Sequence, residues 1–232
     1  ANAIKDANQF SRELVLSFKI GLFFSIPAAL VFVNFSDLLI KVLFERGEFT
    51  FQETIQTSNA LLAYAFGVPA FIMLKSCQPA FLAEGNTKTP MYIGFVLLIL
   101  NITLSLSLMI FLDHVGIALA TSIVSWIGTI IYITLLIKTG KITKPKFSLK
   151  EEDLNLFTVV FYALKIIFIS CLMIITMKLA WLILEINNLE ETFVLIILCI
   201  LGFLMYILIS KIFNYIPQEL YDYVSMKFKK EK

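Results

Sequence analysis

The sequence predicts an all-α membrane protein with six transmembrane helices, and three observations carry that prediction. Of its 232 residues 59% are apolar and only 16% charged, with a mean hydropathy of +0.88, whereas soluble domains hold about 25% charged residues. Six stretches are long and apolar enough to cross a hydrocarbon core about 30 Å thick, which takes about 20 residues of helix. The lysines and arginines between these stretches fall almost wholly on one side, as cytoplasmic loops require. A soluble enzyme domain, a secreted disulfide scaffold and a disordered tail are thereby excluded. Cys77, Cys171 and Cys199 are widely spaced inside apolar stretches and read as small core hydrophobes.

Taken in order, residues 1–13 are polar and helix-compatible and lead directly into the first span, 14–36. They lack an initiator Met and a signal-peptide pattern, so they read as a cytoplasmic segment continuing from an upstream part, by natural or experimental truncation. The stretch DLLIKVLFERGEFTFQET separates this span from the second, 55–83, which carries Pro69 and Pro79. EGNTKTP then leads to the third span, 91–112, and the two-residue turn Asp113-His114 to the fourth, 115–137. A basic loop, 138–155, precedes the fifth span, 156–184; EINNLEE joins it to the sixth, 192–213, and a polar tail fills 214–232.

With the first residues inside, the inner stretches hold Lys5, Arg12, Lys88, Lys138, Lys141, Lys144, Lys146, Lys150, Lys211, Lys227, Lys229, Lys230 and Lys232. The outer stretches hold Lys41 and Arg46. Both ends are therefore expected in the cytoplasm. The basic loop and tail read as topology determinants that also touch anionic membrane lipid, and no nucleic acid is expected as a partner.

Ionisable groups within the bilayer are costly and are functional candidates by default. Lys19, near the inner end of span one, can snorkel to the headgroups, as can Lys165 and Lys178 in span five, thirteen residues and about 20 Å apart along a helix. Lys75 lies about 13 Å deep, nine residues before Glu84. Pro79 frees the carbonyl of Lys75 and Pro69 that of Ala65, because proline has no N–H to donate four residues back. Broken backbone at this depth is tolerated where it meets protein or a watery cavity. Tyr64, Lys75 and Gln78 share nearly one helical face, so they form either a polar cavity wall with an ammonium for an anion or a snorkelling lysine beside a structural kink.

Spans three and four carry a second cluster. Asn101 and Ser105 are four apart on one face, and Thr121, Ser122, Ser125, Gly128 and Thr129 make a small-residue run suited to close helix packing. The sharper reading gives Asn101, Ser105 and Thr121 to a small hard cation such as sodium, which takes oxygen ligands; the cluster has no carboxylate, so an acid from outside the chain would complete it. His114 reads as a turn residue. There is no Ser/His/Asp arrangement, CxxC, HExxH or P-loop, so the chain is not expected to be an enzyme and no cofactor is expected.

The segments LFERGEFT (43–50), NALLAYAFGVPAF (59–71), KSCQPAFLAEGNTKTP (75–90) and HVGIALATS (114–122), in this order, resemble the carboxy-terminal portion of the MurJ (MviN) family. These are bacterial lipid II flippases of the multidrug/oligosaccharidyl-lipid/polysaccharide exporter superfamily. The resemblance implies a fourteen-helix, two-lobed transporter. Residues 14–137 would be four helices of its second lobe and 156–213 two additional helices, which in the family form a groove for a lipid tail. It implies alternating access in the bacterial inner membrane, an anionic lipid-linked substrate such as lipid II, a missing amino-terminal half as partner, and a sodium ion or a proton as a coupling cation. Lys75 would face the cavity. The 232 residues alone are not expected to flip lipid. The alternatives are a related drug or polysaccharide-lipid exporter, and a non-transporting scaffold or degraded gene product.

Overall fold

A computed structural model of the chain describes residues 2–140, 156–186 and 189–217. Most of the basic loop 138–155 and of the tail 214–232 lies outside the described residues. Those described are helical, with short turns: α1 (Asn2–Phe44), α2 (Phe51–Ala65), α3 (Val68–Leu82), α4 (Lys88–Lys138), α5 (Leu156–Ile186) and α6 (Glu191–Ile212).

Six crossings result. Helices α1, α5 and α6 are each long and apolar enough to span a bilayer, and α2 with α3 is so when taken together as one span bent by 46°. Helix α4 supplies two. Its backbone reverses at Asp113 (φ 48°, ψ −135°), and the Asn101 amide reaches the Thr121 hydroxyl at 3.3 Å. A Cβ on Gly116 would sit 2.5 Å from the Leu108 carbonyl, and one on Gly128 would lie 2.7 Å from Leu97. The paired residue numbers have a nearly constant sum, which is the signature of an antiparallel hairpin; in a straight helix Leu97 and Gly128 would be about 46 Å apart. The six predicted spans are thus all present.

The ends differ from expectation at the first outer stretch. Residues 37–54 are read from sequence as loop, but α1 continues to Phe44 and α2 begins at Phe51. The apolar run LLIKVLF is a good helix former, and the break that shortens the span is the non-helical Phe35 (φ −132°, ψ 22°) inside α1. The turn is confined to 45–50, where Gly47 takes a positive φ, and α2 opens on a capping box between Thr50 and Glu53, which satisfies two of the first orphan N–H groups. The start of α4 is capped by the Asn86 side chain, which accepts from the Thr89 N–H at 3.1 Å.

Helix α1 is the partition of the molecule. It packs against α2 and α3 on one side and α5 and α6 on the other, while α4 packs on α2 and α3, and α5 on α6. Its Phe18 and Phe23 are fully buried, together with Leu14, Leu22 and Ile26. In lipid such contacts hold by close fit rather than by exclusion of water. Cys77 is in this core, but Cys171 and Cys199 are exposed on the bundle surface, against the sequence expectation. A lipid-facing surface is as apolar as the core, so hydropathy does not separate the two.

Candidate functional site

The polar stripe of the second span is split by the fold. Tyr64, 44% exposed, and Lys75 both lie at the surface, with the Lys75 ammonium 5.4 Å from the centroid of the Phe71 ring. Gln78 is half-buried and is the polar neighbour of the buried Tyr132 hydroxyl. Two members of the stripe therefore face outward and one inward.

The bend falls at Phe66-Gly67, two residues ahead of Pro69, which occupies the start of α3, where a missing N–H costs no helix bond. Helix α3 runs on through Pro79 to Leu82. Three carbonyls at and just beyond the bend accept from the second arm of α4. Ser122 donates to the Ala63 carbonyl at 2.7 Å, Trp126 Nε1 to that of Phe66 at 2.9 Å, and Thr129 to that of Ala70 at 2.7 Å. The donors recur at helical spacing, and each pair differs by 59 or 60 in residue number, so the two elements run parallel, as the second and fourth crossings of an alternating chain must. Backbone approaches backbone here: a Cβ on Gly67 would sit 2.5 Å from Ser122 Oγ and 2.7 Å from its Cα.

Asn101, Ser105 and Thr121 are brought together across the α4 hairpin. Besides the bond to Thr121, the Asn101 carboxamide oxygen accepts from Ser105 at 3.5 Å, and Thr121 donates to its own helix at Ile117 at 3.1 Å. Among the described residues no group of three or more His, Cys, Asp or Glu side chains could hold a metal ion. His114, in the strained Asp113-His114 turn, lies 3.0 Å from the Gln56 carbonyl and pins the hairpin to α2.

On the other side of α1, a cavity of about 280 Å³ opens between α1, α5 and α6, lined by groups such as Phe24, Val31, Met177, Cys199 and Phe203. Its floor holds a residue set that sequence reading missed. Pro27 interrupts α1 and leaves the Phe23 carbonyl without its usual donor. The Tyr206 hydroxyl of α6 donates to that carbonyl at 2.6 Å, and the two rings pack with centroids 5.0 Å apart. Pro27 was the available signal, but nothing in the sequence says which distant hydroxyl would meet the carbonyl it frees.

The family model for lipid II flippase MurJ matches residues 1–184. The chain is 40% identical over 126 residues to a Rickettsia prowazekii protein named "Probable lipid II flippase MurJ", covering 54% of this chain and 24% of that one. It is 33% identical over 134 residues to the lipid II flippase MurJ of Thermosipho africanus, covering 58% and 28%. A solved structure of lipid II flippase MurJ in an inward closed conformation superposes with a TM-score of 0.69 at 29% identity, over 90% of this chain and 40% of that one. The matched region spans about a quarter of the length of the curated relatives. With a match over most of its length and a shared arrangement of helices, the chain belongs to the MurJ lipid II flippase family, whose members are membrane transporters and not enzymes.

Proposed function

We propose that this chain forms part of a flippase carrying lipid II, or a similar undecaprenyl-pyrophosphate-linked peptidoglycan precursor, across the bacterial inner membrane by alternating access. Both ends lie in the cytoplasm on the strength of the thirteen-to-two division of basic loop residues. The observation that carries the substrate reading is the outward-facing ammonium of Lys75 on the bent α2–α3 span, with Tyr64 exposed on the same span. A cation at membrane depth beside irregular backbone suits an anionic headgroup, and the apolar cavity between α1, α5 and α6 suits the lipid chain attached to it. Alternating access needs two opposed walls, and these residues match 40% of the solved relative. We therefore expect residues 1–232 alone not to rescue a flippase-depleted cell, and rescue would overturn that part of the reading.

The test of the site uses this chain joined to an upstream half. Lys75→Ala should reduce complementation about tenfold, the factor for one charge-assisted contact of about 1.4 kcal/mol, while Lys165→Ala leaves it near normal. Full activity from both variants would remove Lys75 from the mechanism.

A second reading is favoured by the meeting of Asn101, Ser105 and Thr121 across the α4 hairpin. Their oxygens suit sodium as the coupling cation, with a carboxylate from beyond this chain. Asn101→Ala combined with Thr121→Val should then alter the sodium dependence of transport. An unchanged response at every sodium concentration would leave the three residues a packing role alone.

A further inference from the structure

We infer that Tyr206 is a positioning residue: its hydroxyl, bound to the α1 carbonyl that Pro27 sets free, fixes the seat of α6 on α1 and with it the width of the cavity between α1, α5 and α6. The geometry is specific. A carbonyl four residues before a proline has lost its helical donor and, at membrane depth, finds no water, so a neighbouring helix has to supply one. Tyr206 does so at 2.6 Å while itself only 4% exposed, so neither partner has solvent as an alternative.

The surroundings leave this bond to set the spacing. Gly202, one turn before Tyr206, carries no side chain, and a Cβ there would meet the Met177 sulfur at 2.6 Å. Pro27, Met177, Gly202 and Tyr206 all line the cavity. The α6 helix thus rests on a pliable thioether on its α5 side and on a directional hydrogen bond on its α1 side. Methionine adapts its shape to its neighbours, so the hydrogen bond sets the register. Because α1 also packs against α2 and α3, a shift of α1 at Phe23 would be passed through Tyr206 to the cavity wall.

Cys199 provides the readout, since it lines the cavity and is exposed, whereas Cys77 is buried. In a Cys171→Ser background, labelling of Cys199 by a membrane-permeant maleimide in native membranes should accelerate about two- to tenfold in Tyr206→Phe, the range for one lost interhelical hydrogen bond. In a Pro27→Ala background the restored backbone N–H at that position takes the Phe23 carbonyl, and Tyr206→Phe should then change the rate no further. An unchanged rate in Tyr206→Phe overturns the proposal. So does an equal acceleration in both backgrounds, which would assign the effect to ring packing. If Tyr206→Phe does not accumulate as folded protein, the double variant, which has no orphan carbonyl, should; its failure to do so is equally fatal. No arm of this test depends on lipid transport.

Discussion

The two sides of α1 are held together by different means. On the side of α2, α3 and α4 the packing of α4 on the bent span is tight and polar: three side chains of one α4 face donate to carbonyls around the Phe66-Gly67 bend, and Gly67 lets backbone meet backbone. Towards α5 and α6 the packing is apolar and open, with a cavity whose floor is closed by the Tyr206 hydroxyl. Freed carbonyls in lipid demand donors from neighbouring helices, and the Phe66-Gly67 bend draws three from α4. On the α5 and α6 side the carbonyl freed by Pro27 takes one, Tyr206, and a space remains between the helices. The first arrangement suits a fixed wall and the second a compartment that admits a flexible apolar chain.

The contrast is broken most directly by adding one methyl group to each side. At Gly67 the methyl would meet the Ser122 backbone, which cannot move without displacing α4. Gly67→Ala should therefore cost about 3 kcal/mol, the upper range for overpacking, read as a fall in the thermal midpoint of the purified protein. Gly202→Ala meets the end of the flexible Met177 side chain and should cost about 1 kcal/mol. Equal losses would mean that the two interfaces are packed alike.

Much of this division was open to sequence reading, though unevenly. The six crossings followed from hydropathy, and the turn at Asp113-His114 from two polar residues between apolar runs. Small residues at 116–129 pointed to close packing, and the structure finds them there. The position of the bend did not follow, because Pro69 marks where a helix can begin and points only to the Ala65 carbonyl, whereas the α4 donors meet those of Ala63, Phe66 and Ala70. The stripe of Tyr64, Lys75 and Gln78 assumed a straight helix, and the 46° bend together with the inward turn of Gln78 separates its members. Pairings such as Ser122 with Ala63 or Tyr206 with Phe23 depend on how helices distant in sequence are set beside each other, which periodicity within one helix does not encode.

The polar side can be sharpened with a substitution that preserves shape. Ser122→Ala removes the donor to the Ala63 carbonyl, whose usual helical donor, the Gly67 N–H, turns instead to Tyr64, and leaves that carbonyl at the bend without this partner. We expect a loss of about 1–2 kcal/mol. Ser170→Ala, on the opposite side of α1, removes only a bond to Ile166 within α5. Because that carbonyl keeps its backbone donor, the effect should be near zero. Similar losses at the two sites would show that the donors at the bend are not special.

The smallest effect belongs to the outer edge of the open side, where Lys41 at the end of α1 pairs with Glu191 at the start of α6. The two side chains are 41% and 48% exposed, and an ion pair this open to solvent contributes about 0.2–1 kcal/mol, less at high salt. Glu191 also lies in the first turn of α6, where a carboxylate is favoured by the helix N-terminus whether or not Lys41 is present. Lys41→Met should therefore lower the thermal midpoint slightly less than Glu191→Gln, and the difference should shrink as salt is raised. A loss above about 2 kcal/mol from either change would mean that this pair, rather than Tyr206, fastens α6 to α1.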